Sequence, residues 1–69
     1  MDVSKAMKYL RWAMKNDPEY AWSWHCNLAM MACDAGATHA EANKQAASFM
    51  KATFGVDITK THYWKNLWK

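Results

Sequence analysis

The chain has 69 residues and a formal net charge of +3, which is the size of one small domain with a mild excess of positive charge. A domain this short buries only about 60% of the surface of its unfolded chain, so its ten aromatic residues are needed to enlarge the core. Two glycines exclude a glycine-rich phosphate loop, and two cysteines are too few for a disulfide framework. The sequence contains neither a secretory signal nor an apolar run of about 20 residues. We therefore expect one cytoplasmic domain, residues 1–69, without membrane contact.

The first predicted element is an amphipathic helix that begins at Asp2 or Ser4 and ends near Asn16. Its apolar residues recur at spacings of three and four, and its basic residues take another face. The residues expected to face the core are Val3, Met7, Leu10 and Met14. The basic face comprises Lys5, Lys8, Arg11 and Lys15.

A second helix is predicted from Pro18 to about Ala35, ending at Gly36. Asp17 is its N-cap, and a proline at the first helical position is typical of a helix start. Most of its circumference is apolar, which predicts a central helix with neighbours on more than one side. One expected core stripe comprises Ala21, Trp24, Leu28, Met31 and Ala35, and a second comprises Trp22, Cys26, Ala29 and Cys33.

The third helix starts at the sharpest local motif in the chain. Thr38 is followed three residues later by Glu41, the spacing of a capping box, and the helix should end near Phe54 with Gly55 as its left-handed stop. We expect its core residues to be Ala42, Ala46, Phe49 and Met50. After a short extended stretch at Val56 and Ile58, Thr59 or Thr61 is expected to cap a final helix. On that helix, Trp64, Leu67 and Trp68 share a face. The sequence thus predicts an all-α fold: a compact three-helix bundle with a short fourth C-terminal helix or extended segment.

No combination of reactive residues predicts catalysis or metal binding. His25 and Cys26 are neighbours, but adjacent helical residues project about 100° apart and do not face each other. Cys26 and Cys33 would lie about 10 Å apart along a helix, too far for a disulfide, so we expect two reduced, buried thiols. The close Cys or His pairs of zinc sites are missing, and the acidic residues fall mostly at predicted helix ends. We expect no catalytic residue, no metal, no cofactor and no enzymatic activity.

Interleaved aromatic and basic residues instead favour binding. The segment "HYWKNLWK" interleaves aromatic rings with lysines, an arrangement that can anchor a protein partner, lie at a membrane surface or stack on nucleic-acid bases. The partner-binding candidates are Trp12, Tyr63, Trp64, Trp68, Lys65 and Lys69. The basic face of the first helix, Lys5, Lys8, Arg11 and Lys15, is a candidate contact for an acidic partner, with a plain solvated face as the alternative. The alternative for the terminal aromatics is that they cover the core.

The stretches "DPEYAWSWHCNLAMMACDAG", "AEANKQAASFM" and "FGVDITK" are similar to a group of small proteins encoded by bacteriophages and prophages. The likeness spans about residues 18–60 and carries no enzymatic motif. It implies a phage accessory protein that acts in the bacterial cytoplasm by binding and modulating or inhibiting a host or defence macromolecule, as anti-CRISPR proteins do. The alternatives are a small basic nucleic-acid-binding protein and a homodimeric structural module.

Overall fold

The computed structural model describes residues 2–67 and confirms the all-α prediction. Three long helices are followed by a 3-10 turn and a short fourth helix. The helices are α1 (Val3–Asn16), α2 (Pro18–Asp34), α3 (His39–Phe54) and α4 (His62–Leu67), and the 3-10 turn is Ile58–Lys60. Every helix in the described residues is too short or too polar to cross a bilayer.

The helix boundaries follow the capping residues. Asp2 caps α1 by accepting the backbone N–H of Ser4 at 2.9 Å. Asp17 caps α2 by accepting two backbone N–H groups, as expected where a proline occupies the first turn. At the start of α3, Thr38 Oγ1 accepts the N–H of Glu41 at 3.2 Å and donates to its carboxylate at 2.8 Å. Gly55 ends α3 in the left-handed conformation, at φ 68°.

The core lies where α2 packs against both α1 and α3. The largest fully buried side chains are Met14, Met50, Ile58 and His25. A second part of the core is built from small residues, because Ala29 of α2 faces Ala42 and Ala46 of α3. Small side chains let the two helices approach closely. The resulting slab measures only 16 Å in its shortest dimension, so much apolar surface remains near solvent.

Four residues that were predicted to lie in the core are exposed. Val3 is 74% exposed, Met31 is 66% exposed and Phe49 is 47% exposed. Val3 lies in the first turn of α1, before that helix reaches its neighbours. Met31 and Phe49 lie on the flanks of α2 and α3, because the line of closest approach runs through the alanines. Ala35, placed in the same stripe as Met31, is also exposed.

The centre of the inner face of α2 is Ala21, His25 and Ala29, rather than the predicted stripe through Trp24 and Leu28. Trp24 and Leu28 are half-buried and pack against the core from the side. Cys26 and Cys33 are free thiols, as expected, but both are half-buried where full burial was expected. In the C-terminal segment, Thr61 rather than Thr59 caps α4, since its Oγ1 accepts the N–H of Trp64 at 3.4 Å.

Candidate partner-binding surface

A cleft lined by aromatic side chains lies between the outer face of α1 and the first turn of α2. Its volume is about 380 Å³. Trp12 is 62% exposed and Tyr9 is 64% exposed, so both rings are open to a partner. Tyr20 is 37% exposed. We call this site the aromatic cleft, and its lining residues are Tyr9, Trp12, Ala13, Asn16, Asp17 and Tyr20.

The local sequence fixes the shape of the aromatic cleft. Residues 9, 12 and 16 are spaced by three and four, which places them on one face of α1. The rings of Tyr9 and Trp12 lie 6.1 Å apart between centroids, tilted by 35°. Asn16 Nδ2 donates to the carbonyl of Trp12 at 2.8 Å. The Asp17 carboxylate holds the start of α2 by accepting the N–H groups of Glu19 and Tyr20. The cleft is therefore formed by one face of α1 and the first turn of α2, and side-chain hydrogen bonds hold the backbone where the two helices meet.

Basic side chains from two helices converge on a second cleft, between α1 and α3. Arg11 and Lys15 of α1 meet Lys51 of α3 beside Gly55, around a volume of about 270 Å³. We call this site the cationic cleft. Lys51 also faces an acid: the pKa of Asp57 is lowered chiefly by its hydrogen bond from the Thr59 hydroxyl, and Lys51 and Lys60 contribute to the shift. Part of the positive charge is thus already compensated within the chain.

The aromatic residues of α4 pack against α2. Tyr63 stacks on Trp22 with ring centroids 5.7 Å apart and an interplanar angle of 17°. Trp64 is half-buried, packs against the core and meets the His25 ring edge-on at 5.8 Å. Both rings therefore cover the core while keeping part of their surface exposed. Lys65 is exposed. The other two C-terminal candidates, Trp68 and Lys69, lie outside the described residues.

His25 is the polar residue at the centre of the bundle. Its ring is fully buried, stacks on Trp22 at 4.5 Å, and its Nε2 lies 2.9 Å from Asn43 Oδ1. Asn43 Nδ2 donates to the carbonyl of His39 at 2.8 Å, which leaves Oδ1 as the acceptor and makes His25 Nε2 the donor. Burial lowers the pKa of His25, and the hydrogen bond that the ring donates to Asn43 opposes this shift. The ring is therefore neutral at pH 7, and its Nδ1 is buried with no hydrogen-bond partner among the described residues.

This interior offers little nucleophilic chemistry. Burial raises the pKa of the Cys26 thiol, which keeps it protonated, and a thiol reacts far more slowly than a thiolate. Across residues 2–67, no group of three His, Cys, Asp or Glu side chains is placed to hold a metal ion. The His25 ring is held by the Asn43 hydrogen bond and packed between aromatic rings. His25 thus packs between aromatic rings, and Cys26 is a half-buried free thiol beside it in the sequence.

The structure distributes the predicted site residues over separate surfaces. Trp12 lies in the aromatic cleft, whereas Tyr63 and Trp64 lie against Trp22 and His25. The basic face of α1 divides as well: Arg11 and Lys15 line the cationic cleft, and Lys5 and Lys8 are exposed on α1 without lining it.

Sequence reasoning missed the residues that surround these candidates. Tyr9, Asn16 and Tyr20 complete the aromatic cleft, and Lys51 completes the cationic cleft. The spacing of Tyr9, Trp12 and Asn16 indicates that these residues share a face of α1, distinct from the apolar and basic faces. Lys51 gave no such signal, because only the packing of α3 against α1 brings it beside Arg11 and Lys15.

Comparison with known proteins gave no match: no family model, curated protein or solved structure is significantly similar to this chain. The resemblance to phage-encoded proteins stays a prediction from the sequence.

Proposed function

We propose that this chain is a non-enzymatic binding protein that acts by covering a surface of a larger protein, and that the aromatic cleft is its contact surface. The observation that carries the proposal is the exposure of Tyr9 and Trp12 beside Tyr20. Tyrosine and tryptophan dominate the energetic centres of protein interfaces, because they bury large rigid surfaces and keep a polar group for hydrogen bonding. A solitary small domain gains nothing from leaving a tryptophan 62% exposed.

We also propose that the chain has no enzymatic activity, because the interior formed by residues 2–67 lacks a reactive group. The buried histidine is neutral and hydrogen-bonded, and the raised pKa of Cys26 keeps the neighbouring thiol in its unreactive form. The sequence resemblance adds the context of a phage accessory protein in the bacterial cytoplasm that binds a host or defence protein. That context stays a prediction.

A protein partner is favoured over nucleic acid by the acid in the aromatic cleft. Asp17 is exposed there, and its carboxylate would repel the phosphates of a strand whose bases stacked on Trp12. The exposed polar atoms of Asn16 and Asp17 suit the backbone and side chains of a protein surface.

The test is capture of partners from a bacterial lysate with three forms of the chain: wild type, Trp12→Ala and Val3→Ser. Val3 is the matched control, because it is exposed on the same helix but lies outside the cleft. Truncating a central aromatic residue typically costs at least about 2 kcal/mol of binding, or roughly 30-fold in Kd. We expect the Trp12→Ala chain to lose a partner that wild type and Val3→Ser retain, with affinities measured by calorimetry on the purified pair. If all three chains retain the partner equally and circular dichroism shows that each is folded, the aromatic cleft is not the contact surface.

Nucleic-acid binding is a second candidate function, favoured by the convergence of Arg11, Lys15 and Lys51 on one cleft. Phosphate contacts release counterions, so the logarithm of the affinity should fall with the logarithm of salt concentration, by about 0.9 per contact on double-stranded DNA. Mobility shifts with duplex DNA at rising salt, using wild type and Lys51→Gln, decide the matter. A slope lowered by about one in Lys51→Gln supports this function. The absence of any shift at about 50 mM salt rejects it.

A further inference from the structure

A groove without any charged residue runs between α2 and α3. Its volume is about 310 Å³. Gln45 is its one polar lining residue, and the other five are apolar. We call this site the α2–α3 groove, and it is lined by Leu28, Met31, Ala32, Gln45, Ala46 and Phe49. It shares no lining residue with the aromatic cleft or the cationic cleft.

The α2–α3 groove has an exposed side chain at its edge and space beside it for another side chain. Met31 is 66% exposed at the edge of the groove, and its unbranched thioether side chain adapts to irregular gaps. Ala32 and Ala46 have small side chains, which leaves room between α2 and α3, and Phe49 forms part of the wall. A surface with both features can pair with a second copy of itself, so that under a two-fold axis Met31 of each copy would face the groove of the other.

We infer that a second copy of this chain packs on the α2–α3 groove, forming a two-fold symmetric dimer through Met31 and Phe49. The inference is independent of the aromatic cleft and of the function proposed for it.

Charge restricts where two copies can meet. Each chain carries a formal net charge of +3, so two copies repel each other wherever lysines and arginines face one another. Arg11, Lys15 and Lys51 line a different cleft. The α2–α3 groove has no ionisable lining residue, so pairing there buries no cation and requires no acidic partner to neutralise it.

The available area suits a weak dimer. A fully buried aromatic side chain removes about 150–250 Å² from water, so covering the exposed 47% of Phe49 removes roughly 90 Å². Met31 is 66% exposed and adds a similar amount, so the two side chains together contribute roughly 200 Å² of apolar surface per copy. Stable interfaces bury about 800 Å² per partner, somewhat more than half of it apolar, so this contact falls at the small end. We therefore expect weak association that depends on protein concentration.

The adjacent methionine is the matched control. Met30 is 64% exposed on the same helix, but it points about 100° away from Met31 and does not line the groove. The substitutions Met30→Glu and Met31→Glu therefore add the same charge to the same kind of exposed position. They differ only in whether that charge lies in the proposed interface.

The experiment is sedimentation equilibrium of the full chain from about 5 µM to 1 mM with reductant present, since Cys26 and Cys33 are free and half-buried. The expected mass rises from 8.0 kDa toward 16.0 kDa, which is 2 × 8.0. Met31→Glu should weaken the dimer at least tenfold, whereas Met30→Glu should leave its dissociation constant within twofold. Phe49→Ala changes no charge and should also weaken the dimer. It therefore gives a second test of the groove if the Met31→Glu chain fails to fold.

Four results would overturn the inference: a mass of 8.0 kDa throughout the range, a dimer that survives Met31→Glu in a folded chain, equal weakening by Met30→Glu, or loss of the dimer in Trp12→Ala. Trp12→Ala separates this inference from the proposed function. A dimer unchanged by Trp12→Ala supports pairing through the groove, and a dimer abolished by it would place self-association at the aromatic cleft instead.

Discussion

Acid should destabilise this protein through His25. Burial lowers the pKa of this ring in the folded chain, whereas in the unfolded chain the imidazole titrates near 6.5. Below pH 6.5 the unfolded state therefore binds a proton that the folded state takes up only at lower pH. The free energy of unfolding should therefore have its full value above pH 6.5. It should fall as the pH drops from 6.5 toward the lowered pKa of the folded state.

The structure bounds the size of this effect. One histidine exchanges at most one proton, so the loss cannot exceed about 1.4 kcal/mol per pH unit. A chain of 69 residues is expected to have a total stability of about 3–10 kcal/mol, so even one pH unit at that slope removes a substantial share. Desolvation of the charged ring is the main cause of the lowered pKa, and protonation would also give Nδ1 a proton with no acceptor among the described residues.

The assay is urea denaturation followed by circular dichroism at pH 7.5, 6.5, 5.5 and 4.5. The test variant is His25→Phe, which keeps an aromatic ring for the stack on Trp22 but cannot titrate. Its stability should vary less between pH 6.5 and 4.5 than that of the wild type. Parallel titrations of His39→Gln and His62→Gln, which replace exposed histidines, serve as comparison variants. An identical slope in wild type and His25→Phe would refute the assignment of acid sensitivity to the buried ring.

Two further predictions concern the framework that supports the clefts. Met50→Ala should lower the free energy of unfolding by about 2–5 kcal/mol because Met50 is fully buried, whereas Met31→Ala should change it by less than about 0.5 kcal/mol in the monomer. Urea titrations at low protein concentration compare the two, and equal losses would contradict the described core. Gly55→Ala should cost about 1–2 kcal/mol, because φ is 68° at this helix end and an added Cβ would meet only Lys15 Nζ, at 3.9 Å. Thermal melting measures this cost, and an unchanged Tm would show that α3 does not require the left-handed residue.

The helix boundaries could be predicted from sequence because they depend on local interactions. Asp17 with Pro18, Thr38 with Glu41, and Gly55 each act within one turn of the chain, and each lies at a helix end in the structure. The all-α class followed from the same signals. Helix capping requires no knowledge of which helices touch each other.

The faces of α2 and α3 could not be predicted in the same way. α2 is apolar around most of its circumference, so periodicity alone does not select an inner face. The structure selects the face of Ala21, His25 and Ala29, because these residues meet the small side chains and Asn43 of α3. That choice turns Met31 and Phe49 outward and creates the α2–α3 groove.

In the candidate surfaces, too, some residues could be predicted from local sequence and others are brought together only by tertiary contacts. Trp12 was recognised as a candidate from α1 alone, but its companion Tyr20 reaches the cleft only through the turn between α1 and α2. The terminal aromatics Tyr63 and Trp64 have a packing role that their sequence pattern could not distinguish from exposure. A site formed by several elements depends on tertiary contacts, and those leave no periodic trace in one segment.

Site-specific photo-crosslinking tests the central claim most directly. A photoreactive benzophenone amino acid placed at position 9, in the aromatic cleft, should trap the partner protein captured by the wild-type chain. The same amino acid at position 3, also exposed on α1 but outside the cleft, should not. Crosslinking from position 3 with none from position 9 would contradict the assignment of the aromatic cleft as the binding surface.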